Sequence, residues 1–339
     1  MSDTTPVKSP NRAPRPGLLV SIVRMRSMST FLIAAVLFVL FTLLSPGKYF
    51  ATRDNLLIFL ATEAEFGIIA IAVGILMIAG EFDLSVGSVL AFCSLTFIKL
   101  FGAGVNAVLA LFVAIAVGMA VGFLNGIITV KAQIPSFITT LGGLMLWRGV
   151  TLFWSGGKQE GLEVEKIPVL YGVIGGAKIG FLPIQFVWVV GIALVAAVVM
   201  NSHKLGNWVT VTGDNKLAAK AMGINTDRIK IACFMIVGAA VGLVGVMQMF
   251  RSGTFTARAG DGLELNAVAA AVVGGTALSG GIGSVAGVFW GAMAISLIEN
   301  GLVMMRIPYW WTFTVFGGII ILSVIVSKII EVRRMGAGC

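Results

Sequence analysis

Apolar residues occur along this chain in long blocks that are separated by short polar or glycine-rich breaks. The blocks run for roughly 17–25 residues without strict alternation, which is the length that a helix needs to cross a bilayer. Only helices and closed barrels satisfy their backbone hydrogen bonds in lipid, so the pattern predicts an all-α integral membrane protein with about ten transmembrane helices. The predicted spans cover residues 29–46, 56–79, 85–101, 105–129, 137–155, 184–201, 230–250, 264–280, 284–304 and 309–328.

Composition and charge agree with a membrane protein and argue against a soluble protein or a nucleic-acid-binding one. Of the 339 residues, 58% are hydrophobic and 12% are charged, which is too few charges to cover a soluble protein of this size. The net charge of +9 does not indicate a nucleic-acid partner, because the basic residues lie in tails and loops between the apolar blocks. The cysteines form no disulfide or metal pattern, and a single histidine, His203, excludes a multi-histidine site.

The basic segments predict the orientation of the chain in the membrane. Residues 1–28 form a basic tail that the positive-inside rule places in the cytoplasm. A signal peptide is the alternative, but no small-x-small cleavage site follows the first apolar block. With one transmembrane domain over 29–328, the basic loop 202–229 and the tail 329–339 also fall inside. The longest outer segment, 156–183, is either a connecting loop or a surface for a soluble partner.

Short motifs recur in the same order in the two halves of the chain. Asn125-Gly126 is matched by Asn300-Gly301, and the segment 80–85 is echoed at 260–266. The matched motifs lie on opposite sides of the membrane, so spans 2–5 and 7–10 form an inverted repeat, unless the similarity is chance. Inverted repeats are typical of transport proteins, because two equivalent halves can build a path with two gates.

Glycines four residues apart recur in the fourth and ninth predicted spans. Without Cβ atoms, helix backbones approach closely and pack tightly in lipid. The candidate packing residues are Gly118, Gly122, Gly126, Gly283, Gly287 and Gly291.

Two segments point to a family. Residues 80–88 read GEFDLSVGS and residues 213–224 read GDNKLAAKAMGI. Residues 260–270 and 273–275, further along the chain, belong to the same family pattern. Together they resemble the permease subunits of bacterial ABC importers for monosaccharides, a group that includes the ribose permease. The resemblance covers about residues 50–328.

The resemblance implies a homodimer or heterodimer of such chains in the bacterial cytoplasmic (inner) membrane. ABC ATPase subunits would bind on the cytoplasmic side, and an extracytoplasmic sugar-binding protein would deliver the substrate. The chain itself would perform no covalent chemistry and bind no cofactor, with ATP and Mg²⁺ held by the partner subunits.

Within the basic loop, residues 213–224 predict a short helix that Asn215 caps and Gly223 ends. One face of it carries Leu217, Ala218, Ala221 and Met222, and the small Ala218 and Ala219 can enter a groove on a partner. The resemblance implies that this helix couples the ATPase to the spans, whereas a surface helix against lipid is the alternative. The predicted coupling residues are Gly213, Asn215, Ala218, Ala219, Gly223 and Ile224.

Polar residues at the span ends are candidates for the translocation path or a gate. Asp83 and Ser85 either cap the third span or contribute to a gate, and Glu264 and Asn266 are their equivalents at the eighth. Family members have a small residue before the Asp-Leu-Ser run, where this chain has Glu81-Phe82.

Two glutamates lie inside the second span, where carboxylates are costly and mark functional candidates. Glu63 and Glu65 either accept hydrogen bonds from sugar hydroxyls or pair with Arg148 or Lys99 across helices.

The sequence therefore predicts the membrane subunit of an ATP-driven importer that moves a monosaccharide or related polyol by alternating access. The rival is an ion-coupled secondary transporter that uses Glu63 and Glu65. Residues 213–224 argue against the rival, because an ion-coupled carrier needs no docking helix for an ATPase.

Overall fold

Helices dominate the structure, a computed structural model that describes residues 26–308, 310–312, 314–319, 321–322 and 325. The α-helices are α1 (Arg26–Leu44), α2 (Arg53–Ile78), α3 (Val86–Gly102), α4 (Ala107–Lys131), α5 (Ser136–Ser155), α6 (Ile184–Ser202), α7 (Lys204–Asp214), α8 (Lys216–Ala221), α9 (Thr226–Ser252), α10 (Leu263–Val273) and α11 (Val285–Met304). The segment between α5 and α6 also contains single helical turns at Val164–Lys166, Pro168–Tyr171 and Gly172–Gly176.

Within the described part of the chain, four two-residue strands form two small antiparallel pairs. Strand β1 (Glu160–Gly161) pairs with β4 (Thr254–Phe255), and β2 (Lys178–Ile179) pairs with β3 (Leu182–Pro183). The first pair ties the segment after α5 to the segment after α9.

Among the described residues, seven helices are long and apolar enough to cross a membrane, namely α1, α2, α4, α5, α6, α9 and α11. Two further apolar helices are shorter: α3 has 17 residues and α10 has 11. The chain is thus an all-α integral membrane protein. Of the predicted last span, 309–328, residues 310–312, 314–319, 321–322 and 325 are helical and the others lie outside the described residues, as do most of the two predicted tails.

The prediction of a continuous eighth span over 264–280 is wrong. Helix α10 ends at Val273, and at 1.5 Å per residue its length is about 16 Å, roughly half of a bilayer core. Gly275 has a φ of +87°, a left-handed conformation that ends the helix at little cost for a glycine.

Helix α2 is the centre of the bundle. Every residue from Glu63 to Ala79 is buried, and a helix that is apolar all round is one that other helices surround. Its neighbours are α6, α9, α10 and α11. At one end of α2, Asn55 Nδ2 donates to Asn300 Oδ1 at 3.0 Å, which joins the first turn of α2 to the last turns of α11.

Helices α4 and α9 run antiparallel in very close contact. The Cα atoms of Gly118 and Gly238 face each other so closely that a Cβ on Gly118 would stand 2.2 Å from the Gly238 carbonyl oxygen. Gly122 meets the Phe234 carbonyl oxygen at the same distance, and Gly126 meets Ile231. On α11, Gly287 and Gly291 pack against α10 in the same way, whereas Gly283 lies in the preceding loop.

We call the end of the bundle that carries residues 203–225 the basic end. Gly213 contacts the last residues of α2 there, and the loops 79–85 and 274–284 meet at the same place. The opposite end carries the two strand pairs and the Asn55–Asn300 contact.

Candidate transport site and coupling segment

Two membrane helices are preceded by irregular segments that pass into the bundle. The segment 79–85 follows α2 and runs along the first turns of α5. The Phe82 N–H donates to Ser136 Oγ at 3.0 Å, and the Leu84 N–H donates to Thr140 Oγ1 at 3.0 Å. Because Ser136 and Thr140 are one helical turn apart, the segment advances from the basic end toward the middle of the bundle before α3 begins.

Asp83 and Ser85 form a buried cluster with Asn125 of α4. Asp83 Oδ1 accepts hydrogen bonds from the Ser85 N–H at 2.8 Å and from the Ser85 hydroxyl at 2.6 Å. Asn125 Nδ2 donates to Ser85 Oγ at 2.9 Å. Asp83 is 3% exposed and Ser85 is 0% exposed. The cluster therefore fixes the start of α3 inside the protomer, where a carboxylate is also favoured by the helix N-terminus.

The second irregular segment, 256–262, enters the bundle from the opposite end. It follows β4, and Arg148 of α5 holds its backbone. Arg148 Nη1 donates to the carbonyl oxygens of Ala257 and Ala259, and Nη2 forms an ion pair with Asp261 Oδ1 at 2.5 Å. The guanidinium thus supplies several donors to a stretch of chain with no regular structure.

The two irregular segments meet where α3 and α10 begin. A Cβ on Gly87, in the first turn of α3, would stand 2.2 Å from the Gly260 carbonyl oxygen and 2.8 Å from Glu264 Oε2. The N-terminal ends of α3 and α10 are therefore neighbours, and each carries a partial positive charge. Paired ends of interrupted helices of this kind build substrate sites in many transporters. Glu264 and Asn266 are only half-buried, whereas Asp83 and Ser85 are fully enclosed.

Two buried carboxylates, one in α2 and one just after it, have partners that the sequence did not predict. Glu65 receives a two-pronged contact from Arg251 of α9, with Nε–Oε1 and Nη2–Oε2 both at 2.9 Å. Glu81, the departure from the family pattern, pairs with Lys230 at the start of α9, with Nζ–Oε1 at 2.5 Å.

The predicted pairing of the α2 glutamates with Arg148 or Lys99 is wrong. Arg148 is engaged by the backbone at 257–259 and by Asp261, and Lys99 pairs with Glu160 of β1 at 2.5 Å. Both basic residues therefore anchor the segments at the opposite end of the bundle instead of neutralising α2.

Glu63 is a buried carboxyl group that has no basic partner among the described residues. It is 0% exposed, and Ser296 of α11 is close enough to interact with its carboxyl group. Neither carboxyl oxygen has a partner in hydrogen-bond geometry within the described residues. An unpaired buried carboxylate is costly, which makes Glu63 a functional candidate with a defined location between α2 and α11.

The predicted helix in the basic loop is present as α8. Asn215 Oδ1 accepts from the N–H groups of Leu217 and Ala218, both at 3.0 Å, and Gly223 has a φ of +81° just after the helix. Leu217 is 80% exposed and Ala218 is also exposed. The placement of Ala219 on this docking face is wrong, because Ala219 is 0% exposed and packs toward the bundle.

A junction of glycines connects this coupling segment to the bundle. A Cβ on Gly213, near the end of α7, would stand 1.9 Å from the Ile78 carbonyl oxygen and 2.7 Å from the Gly281 nitrogen. The Gly281 N–H donates to the Ile78 carbonyl oxygen at 2.9 Å, and Gly280 lies against Gly80. The ends of α2 and α7 and the loop before α11 therefore touch through backbone atoms. The sequence motif indicated Gly213, whereas nothing in the sequence pattern singled out Gly280 and Gly281, which lie in the loop before α11.

Long apolar helices packed around two interrupted ones define a multi-pass membrane transport protein. A family model described as the permease component of a branched-chain amino acid transport system matches residues 55–324. The chain belongs to this family of permease components, so it is a transport subunit and not an enzyme.

Three bacterial relatives are similar over most of their length. The ribose import permease protein RbsC of Escherichia coli is 34% identical over 86% of this chain and 91% of its own. The autoinducer 2 import system permease proteins LsrC of Escherichia coli and Yersinia pseudotuberculosis are 32% and 33% identical, over 91% and 82% of this chain and 88% and 78% of their own.

Proposed function

We propose that this chain is the membrane-spanning subunit of an ATP-driven importer for a monosaccharide or a related sugar-like solute, and that it works by alternating access. The relatives named for ribose and autoinducer 2 import support the substrate class. The observation that carries the proposal is the exposed face of α8, which is joined through backbone contacts at Gly213 to the end of α2 and to the loop before α11.

In this proposal the basic end faces the cytoplasm and binds an ABC ATPase. Leu217, Ala218, Ala221 and Met222 present an apolar face with no described neighbour to cover it. ATP and Mg²⁺ belong to that partner subunit, and closure of the ATPases pushes on α8. Because Gly213 touches Ile78 and Gly281 without intervening side chains, the push reaches the starts of α3 and α11 directly.

The proposed topology has about ten spans with both tails in the cytoplasm, as the basic loop and tails favour. The packing supports the proposed inverted repeat, because the first helix of each half packs against the third helix of the other. Helix α2 lies along α11, and α9 lies along α4. The interrupted pairs α2–α3 and α9–α10 correspond in the same scheme, which supports a single transmembrane domain between the tails.

A second permease copy or a paralogue is proposed to pack against α5. This helix exposes Met145 (68%) and Phe153 (89%), and a Cβ on Gly142 or Gly149 would meet nothing within 4 Å. Uncovered small residues on a membrane helix favour close packing with another helix. The solute path would then run between the two copies, beside the half-buried Glu264. The opposite end would receive the extracytoplasmic binding protein, with 156–183 as the surface nearest to it.

Co-purification tests the energy source. The tagged chain is solubilised gently, and capture of an ATPase subunit is measured together with ATP-dependent uptake in proteoliposomes. Leu217→Glu places a charge on the exposed face of α8 and is expected to abolish ATPase capture while leaving membrane insertion intact. Ile179→Glu, at an exposed apolar residue of the opposite end (57%), is the control and is expected to retain capture.

The competing function is ion-coupled transport, and one observation favours it: the unpaired carboxyl group of Glu63. Glu65, the second residue predicted to take part in ion coupling, forms an ion pair with Arg251. If no ATPase is captured and reconstituted uptake persists without ATP, the importer proposal fails and the ion-coupled one stands.

A further inference from the structure

The carboxyl group of Glu63 lies where three membrane helices meet. Glu63 is 0% exposed, and neither of its carboxyl oxygens has a partner in hydrogen-bond geometry within the described residues. A Cβ on Gly67, one turn further along α2, would stand 3.4 Å from Glu63 Oε1 and 3.1 Å from Val189 Cγ2 of α6. Ser296 of α11 is close enough to interact with the same carboxyl group. The group is therefore shut into the contact between α2, α6 and α11, with one hydroxyl beside it.

Among the described residues, the elements packed against α2 place no positive charge within 4.0 Å of this carboxyl group. Helix α6 contains no charged residue, and the only charged residues of α10 and α11 are themselves acidic, Glu264 and Glu299. On α9, Arg251 is paired with Glu65. The other charged residues of α2 and of its neighbours lie toward the ends of the bundle: Lys48, Arg53 and Asp54 at the opposite end, and Lys204, Asp214, Asp227, Arg228 and Lys230 at the basic end.

The neutral acid fits this environment, whereas the carboxylate does not. A charge that is enclosed without a partner is far more costly than a neutral carboxyl group. The neutral acid has one O–H donor, and a serine hydroxyl can both accept and donate, so Glu63 and Ser296 can satisfy each other without any ion. A carboxylate would take one hydrogen bond from Ser296 and leave its charge unbalanced.

We propose that Glu63 is a proton-binding site: it is the neutral carboxylic acid, hydrogen-bonded to Ser296, while α2, α6 and α11 are packed as in this structure, and it releases the proton when α2 and α11 separate. The ligand is a single proton, which explains why a fully enclosed carboxyl group needs no basic side chain.

A row of polar residues on α11 gives the proton a route to solvent. Ser296, Glu299 and Asn300 are three and four residues apart, so they share one face of α11, and all three are half-buried. At the end of this row, Asn300 and Asn55 exchange amide hydrogen bonds at 3.0 and 3.1 Å. Toward the basic end, by contrast, the second half of α2 consists of apolar residues and glycine. The proton on Glu63 therefore exchanges with the opposite end of the bundle.

The consequence for transport rests on the proposed function. In its orientation, the polar row faces the outside, and alternating access requires helices of the bundle to separate. Because the packed arrangement holds one proton more than the separated one, acid outside the membrane favours the packing seen here. The importer would then sense the pH on the side from which it takes up its solute.

Infrared spectroscopy of the purified full-length chain tests the proton site without an ATPase or a transported solute. A protonated carboxyl group has a C=O stretching band that a carboxylate lacks, and deuterium oxide shifts it. Subtracting the spectrum of Glu63→Gln from that of the unaltered chain at neutral pH is expected to leave one such band. Two controls are expected to retain it: Glu65→Gln, at the ion-paired neighbour, and Asp54→Asn, at an exposed carboxylate of the same helix.

Ser296→Ala tests the hydrogen bond with Glu63 in place. The band is expected to remain and to move to higher frequency, because the acid loses its partner. This variant also decides the proposal if Glu63→Gln does not fold.

The pH dependence of unfolding in mixed micelles gives an independent measurement. The folded chain holds the proton, and the unfolded chain loses it above the ordinary range of a carboxyl group, so rising pH favours unfolding. Between about pH 5 and about pH 7, the unfolding equilibrium constant of the unaltered chain relative to that of Glu63→Gln is expected to rise by up to about tenfold per pH unit. Relative to Asp54→Asn it is expected to stay constant.

The proposal is overturned if Glu63→Gln retains every protonated-carboxyl band, if its unfolding follows pH as in the unaltered chain, or if Ser296→Ala leaves the band unmoved. Loss of the band in Glu65→Gln alone would place the proton on the ion-paired residue and also overturn it. Neither measurement involves the energy source, so failure here leaves the proposed importer standing, and failure to capture an ATPase leaves the proton site standing.

Discussion

Replacement of Gly122 by alanine measures how tightly the α4–α9 contact is built. The new Cβ would stand 2.2 Å from the Phe234 carbonyl oxygen, whereas favourable contacts between heavy atoms lie at about 3.5–4.0 Å. The clashing atom belongs to a helix backbone, so no side chain can rotate away and the two helices must separate by roughly 1 Å. Overpacking of this kind costs about 1–3 kcal/mol, against a gain of about 1 kcal/mol in helix propensity for alanine.

Gly191→Ala is the control, because the same propensity gain applies and its Cβ meets nothing within 4 Å. Equilibrium unfolding in mixed micelles of the two variants, compared with the unaltered chain, separates the steric cost from propensity. We expect Gly122→Ala to be less stable than Gly191→Ala by about 1–3 kcal/mol. Equal stability of the two variants would show that the helices can separate freely and would refute the close-packing argument.

Three further substitutions test the buried polar groups. Glu63→Gln replaces a buried ionisable group by a neutral amide of similar shape, so it is expected to keep or raise stability and to leave ATP-driven uptake intact; loss of uptake with normal folding would favour ion coupling. Glu65→Gln leaves Arg251 unpaired and is expected to destabilise by about 1–3 kcal/mol, while the double variant with Arg251→Gln recovers part of that loss in an unfolding assay. Ser85→Ala removes hydrogen bonds to both of its buried partners and is expected to cost about 1–3 kcal/mol of unfolding free energy, and a cost near zero would contradict the cluster geometry.

The long spans could be predicted because their signal is local. Twenty or so consecutive apolar residues specify a membrane helix whatever packs against it. The break after Val273 could not be predicted in the same way, because the apolar run continues through glycines that a membrane helix tolerates. The break is set by tertiary packing: Gly274 lies against the Gly287 backbone, and Gly281 binds the end of α2.

The partners of the buried charges could not be predicted from the sequence either. Glu65 and Arg251 are 186 positions apart, and several other basic residues were equally available on sequence grounds. Arg148 donates to backbone carbonyl groups in the segment before α10 and does not reach the glutamates of α2. The position of that segment in the folded chain could not be predicted from the sequence. Only the folded arrangement decides between these acceptors.

The assignment of Ala219 to the docking face was an avoidable error. Residues 217, 218, 221 and 222 share a helix face by spacing alone, and 219 does not belong to it. The family motif drew attention to both alanines, whereas helical geometry separates them. The structure buries Ala219 and exposes Ala218, in agreement with the spacing.

Glu81, where the family resemblance led us to expect a small residue, pairs with Lys230. Lys230 lies at the start of α9, just beyond α8, and the pair is nearly enclosed, with side-chain exposures of 11% and 12%. A buried ion pair contributes little net stability, but it fixes the relative position of the two elements that it joins. Close to this ion pair, Gly280 contacts both Gly80 and Gly213 through backbone atoms. The proposed coupling region is therefore tied to the segment before α3 twice, once by backbone contact and once by charge. Movement of α8 and α9 as a unit would carry the Asp83 cluster with it, because Asp83 follows Glu81 by two residues.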